Sequence, residues 1–136
     1  MKKIHILLPL LFIGIMNNNF AQQTPAEIKN RLTEYELMLQ RDDNGFEQVY
    51  RAIGQQIQQQ ESHPANRAVW HSCMASLLTR YYLNNSYRIL DRTPIEGELP
   101  NDLNVWDLQT IVKQIVFHYQ QSLRDADLLI QIPLKD

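Results

Sequence analysis

The 136-residue sequence predicts an all-α fold, an antiparallel bundle of four to five helices with one long loop behind an N-terminal signal peptide. Two observations carry that reading. Apolar residues recur every three or four positions through successive segments, and each segment has recognisable helix ends. A third excludes the alternatives: 44% hydrophobic residues with only four glycines is not the composition of a disordered or fibrous chain.

Met1-Lys-Lys3 is a basic start, Ile4 to Met16 an apolar run, and Asn19-Phe-Ala21 ends on a small residue, the layout of a secretory signal. The apolar run is shorter than the roughly 20 residues that span a bilayer comfortably. Cleavage is expected after Ala21, giving a signal peptide over 1–21 and a helical domain over 22–136. No cysteine follows the cut to carry a lipid anchor. The expected location is the periplasm or the medium, with no membrane span after cleavage.

The first helix begins at Thr24-Pro-Ala-Glu27, where a capping residue, a proline at the first helical position and a carboxylate three residues on form a capping box. Ile28, Leu32, Tyr35 and Leu39 then share a face. Asp42-Asp-Asn-Gly45 breaks the pattern, with Asn-Gly suited to a positive-φ turn. The second helix carries Phe46, Val49, Tyr50, Ile53 and Ile57 in one stripe, while Gln55, Gln56, Gln58, Gln59 and Gln60 read as its solvated face. The third is expected from about Pro64 to Leu83. Its pairs Val69-Trp70, Cys73-Met74, Leu77-Leu78 and Tyr81-Tyr82 drift round the cylinder, so it must contact neighbours on more than one side.

Asn84-Asn85 is expected to end that helix through a left-handed residue, leaving 86–103 as the long loop. Its apolar members Tyr87, Ile89, Leu90, Ile95 and Leu99 suggest that it packs along the bundle. The fourth helix is expected to open at Asn104 as N-cap, with Val105, Leu108, Val112, Ile115 and Tyr119 as its buried stripe. A fifth short helix over Asp125 to Gln131 follows. The apolar run Leu128-Leu-Ile-Gln-Ile-Pro-Leu134 asks for a partner surface, and the expectation is a domain incomplete at its C-terminal end.

Candidate chemistry is sparse. There are 13 basic and 15 acidic residues, without the clustered cations that bind nucleic acid. The sequence has no phosphate-cradling glycine loop, no Gly-x-Ser-x-Gly turn and no His-Glu-x-x-His helix. His71 and Cys73 stand two apart on different helix faces, which makes shared metal ligation awkward. His71 reads as a hydrogen-bonded structural histidine on a polar border, and Trp70 and Trp106 read as core anchors. The sole cysteine, Cys73, can form no intrachain disulfide and reads as a buried thiol; pairing with another chain is the other reading. No catalytic, cofactor-binding or metal-binding residue is assigned, and an enzyme is not expected.

Arg67 to Tyr82 with Trp70-His71-Ser72 and Tyr81-Tyr82, then Arg92-Thr93, then Trp106-Asp107, resembles the N-terminal helical region of bacterial alpha-2-macroglobulin-like proteins. The likeness runs from about Ala26 to Leu134, a small N-terminal part of a much longer architecture. It implies an exported protein of a protease-trapping family, whose members use a cleaved bait segment and, in many cases, a Cys-x-Glu-Gln thioester. This chain has no Cys-x-Glu-Gln, and Cys73-Met-Ala-Ser76 is no substitute. The implied function is therefore a non-catalytic segment without inhibitory activity of its own, its partner being the remainder of a longer chain. The alternative is a free-standing periplasmic helical adaptor that binds another protein.

Overall fold

A computed structural model describes residues 20–131 and is all-helical, with no strand among them. Residues 1–19 of the expected signal peptide over 1–21, and the tail from residue 132, lie outside the described residues. Five helices follow in order among the described residues: α1 Pro25–Arg41, α2 Gly45–Gln59, α3 Pro64–Leu90, α4 Leu108–Leu123 and α5 Ala126–Leu129. A 3-10 turn, Leu103–Val105, precedes α4. From α1 to α4 each helix packs on the next, and the α3–α4 contact is the most extensive. These two run antiparallel: His71 near the start of α3 meets His118 near the end of α4.

Local chemistry sets the ends. Thr24 Oγ1 accepts from the Glu27 amide at 3.2 Å and Glu27 returns a carboxylate oxygen to the Thr24 amide at 2.7 Å, completing the expected capping box. The turn between α1 and α2 differs from expectation. Gly45 is the first residue of α2, and among the described residues only Gly97 has positive φ. Close approach explains the glycine instead: a Cβ at Gly45 would lie 2.6 Å from the Met38 carbonyl oxygen.

The third helix also corrects the sequence reading, because Asn85 kinks it without ending it. At φ −124° and ψ 16° Asn85 leaves helical geometry, yet its side-chain amide donates to the Tyr81 carbonyl at 2.9 Å and bridges the break. Helix then resumes to Leu90 because Ile89 is buried, while Tyr87 and Leu90 face outward. The irregular connection thus begins at Asp91. Its expected packing is partial, with Ile95 against the core and Leu99 exposed.

The start of α4 shifts as well. Asn104 belongs to the 3-10 turn, Trp106 is extended, and Asp107 takes the N-cap position with the Thr110 hydroxyl donating to its carboxylate. That later start rotates the buried face. Ile111 and His118 point inward with Leu108 and Ile115 beside the core, whereas the expected stripe members Val105, Val112 and Tyr119 are exposed.

The core centres on α3, whose Trp70, Met74, Leu77, Leu78 and Tyr81 are buried between α1 and α2 on one side and α4 on the other. This is the many-sided contact that its drifting apolar pairs require. Three aromatic pairs lock the layers: Tyr35–Trp70 at 6.1 Å, and the edge-on pairs Phe46–Tyr81 and Tyr50–Trp106, each at 5.4 Å. Arg92 ties down the long connection, donating to the Trp106 carbonyl at 2.9 Å, to Leu103 at 3.3 Å and to the Tyr81 hydroxyl at 2.9 Å.

Candidate functional site

Adjacent residues of α3, Trp70 and His71, point about 100° apart and enter two different polar clusters. Trp70 reaches the segment before α1, where its indole nitrogen donates to Gln23 Oε1 at 2.8 Å. There the glutamines expected to be solvated are partly interior, with Gln56 only 4% and Gln60 only 1% exposed. Gln60 Oε1 accepts from the Gln23 amide and from Asn66 Nδ2, and its Nε2 donates to the Ala21 carbonyl. Asn66 also donates to the Gln23 carbonyl, and His63 Nε2 donates to Phe20 O at 2.7 Å. A buried amide demands partners. The segment Phe20–Gln23 supplies them, so the glutamines clamp the chain before α1.

His71 faces the other way. Its Nδ1 lies 2.9 Å from Nδ1 of His118 on α4, and both residues are buried. In such a pair one ring donates and the other accepts. Burial pushes both imidazoles below their ordinary range, His118 to about 4 with His71 adding to the effect, so both are neutral at pH 7. Phe117 stands edge-on to both rings. Close by, buried Arg67 donates to Asp125, the N-cap of α5, and to Glu61 at 3.3 Å. Arg124 lies 3.8 Å from the same Glu61 carboxylate.

Sequence spacing could not find the pair, because His71 and His118 lie 47 positions apart on different helices. Trp70 and Trp106 are fully buried, as expected of core anchors, whereas Cys73, expected to be buried, is only half-buried, with its thiol raised by desolvation. Cys73 lines a groove with Tyr35 and Leu77, on the side facing α1 and α2.

A third feature is a surface. Val112, Val116, Tyr119 and Leu123 recur at spacings of four, three and four along α4, and each is between 43% and 68% exposed. That is the spacing of a helix-packing seam. Leu128 and Ile130 continue the apolar exposure beyond α4. Among the described residues no helix is long and apolar enough to cross a membrane.

The motif residues Trp70, His71, Tyr81, Arg92, Trp106 and Asp107 all make side-chain hydrogen bonds that join separate parts of the fold or fix a helix start. Their arrangement ties the helices and the long connection together. No family model, curated protein or solved structure matches the chain.

Proposed function

We propose that this chain is the exported N-terminal helical segment of an alpha-2-macroglobulin-like protein, non-catalytic and without protease-trapping activity of its own. The observation that carries the reading is the α4 seam Val112–Val116–Tyr119–Leu123, an apolar stripe in helix-packing register with nothing over it among the described residues. Such a stripe favours association with a protein surface. The order Trp70-His71-Ser72, Tyr81-Tyr82, Arg92-Thr93 and Trp106-Asp107 supports identifying that surface with the remainder of a longer macroglobulin-like chain, and Met1 to Ala21 supports export.

Mixing the purified chain with the β-sandwich portion of a macroglobulin-like protein from the same genome tests this directly. The two are expected to co-elute, with the amides of α4 gaining protection from hydrogen exchange. Val116→Lys is expected to abolish the complex while leaving the helix content intact, because that side chain is exposed. Separate elution sinks the reading, and so does stoichiometric protease inhibition by the isolated chain. A complex with an unrelated periplasmic protein alone would replace it with the adaptor reading.

A further inference from the structure

We propose that His71, His118 and Met74 form a binding site for a soft monovalent cation, Cu(I) or Ag(I), between α3 and α4. The site makes no use of the α4 seam and stands independently of the docking proposal.

The two imidazoles come from separate helices with Nδ1 atoms facing each other 2.9 Å apart, which brings two ring nitrogens within reach of one cation. Met74 lies one turn along α3 from His71, so its buried thioether shares the helix face. All three line one open hollow of about 430 Å³, with Glu61 and Gln121 also on its walls. A cation therefore has a path from solvent. Two bonds of about 2 Å at a trigonal angle place the nitrogens roughly 3.5 Å apart, a little wider than the hydrogen-bonded spacing, and leave a third position for sulfur. The proton now shared between the rings need not leave the protein. It moves from Nδ1 to Nε2 of the donor ring, so each histidine coordinates as a neutral imidazole and no proton is released.

The ligand set selects the ion. Imidazole with thioether suits Cu(I), while harder divalent ions favour carboxylate and water. Among the described residues no group of three or more His, Cys, Asp and Glu side chains could hold a metal ion, so a zinc or calcium shell has no counterpart here. Of the charges that act on His71, the Glu61 carboxylate is the largest and favours a bound cation, with Arg67 and Arg124 opposing it.

Titrating the full chain with Ag(I), read by calorimetry and by native mass spectrometry, is expected to show one tight site. Nitrogen NMR of the wild-type imidazoles should show Nδ1 of both rings shifting on coordination and Nε2 carrying the proton. Met74→Leu keeps the core volume and is expected to weaken the site; His118→Gln is expected to abolish it. Cys73→Ser is expected to leave it unchanged, since that thiol lines the groove toward α1 and α2. Silver binding that disappears with Cys73→Ser overturns the proposal. So do unmoved imidazole signals in the saturated wild type, which require no variant to fold, and a one-to-one complex with Zn(II) tighter than that with Ag(I).

Discussion

The two polar clusters fed by Trp70 and His71 solve the same problem by different chemistry. On the α1–α2 side, Gln56, Gln60 and Asn66 bury neutral amides against the backbone and side chain of Phe20–Gln23. On the α4 side, His71 and His118 bury two ionisable rings against each other. Amides keep their donors and acceptors at every ordinary pH, whereas a histidine pair loses its hydrogen bond when both rings are protonated. The glutamine side is therefore a fixed anchor for the segment before α1, and the histidine side is the part of the fold that responds to protons and, by the inference above, to a cation.

The largest expected effect comes from breaking the element that the two sides share. Trp70→Ala removes a fully buried indole, an aromatic partner of Tyr35 and the donor to Gln23. The expected loss is about 3–5 kcal/mol by urea denaturation. A loss under about 1 kcal/mol, the scale of an ordinary surface change, would mean that the two sides do not share α3 as a keystone.

Acidification separates the sides next. The folded pKa of His118 is about 4 against an ordinary 6.5, so the unfolded chain binds the proton more readily. Stability is complete above about pH 6.5, falls as pH drops toward 4, and levels below it. With about 1.4 kcal/mol for each pKa unit, the metal-free chain should lose on the order of 3 kcal/mol across that window. His118→Gln removes that share and should make the profile shallower there, with His71 keeping its own part. An unchanged slope in the variant would assign the pH dependence elsewhere.

These two predictions also mark what the sequence could show. Apolar spacing and the Thr24 capping box made α1, α2 and the start of α3 legible, because amphipathic periodicity and caps are local signals. Three features were not legible, for identifiable reasons. The Asn85 kink depends on a side-chain bond back to Tyr81 and on burial of Ile89, which outweigh the stop signal of two asparagines. The inward face of α4 depends on where the helix starts, and the extended, buried Trp106 moves that start to Leu108. Gln60 and the histidine pair have partners 39 and 47 positions away, beyond any periodic pattern.

Gln60→Leu tests the amide side by the complementary route. Similar volume fills the space, but the Gln23 amide and Asn66 Nδ2, both retained after the expected cleavage at Ala21, each lose a bond to Gln60. Leaving buried polar groups short of partners costs about 1–3 kcal/mol. The loss should be the same at pH 5 and pH 8, because no member of that set titrates between them. A loss confined to acid pH would make the contrast between the two sides false.

The smallest effects come from two glycines of α2 that repeat the contrast in packing. Gly54 lines the hollow beside the histidines, and a Cβ there would have no atom within 4 Å. Gly54→Ala should therefore stabilise the chain by about 0.5–1 kcal/mol through helix propensity alone. Gly45 gains the same propensity on paper, but its Cβ would strike the Met38 carbonyl and the backbone of Leu39, which cannot rotate aside as a side-chain end can. Gly45→Ala should consequently lower the melting temperature while Gly54→Ala raises it. Equal and favourable shifts would show that α1 can back away from α2 at no cost, and the tight side of the molecule would then be no tighter than the open one.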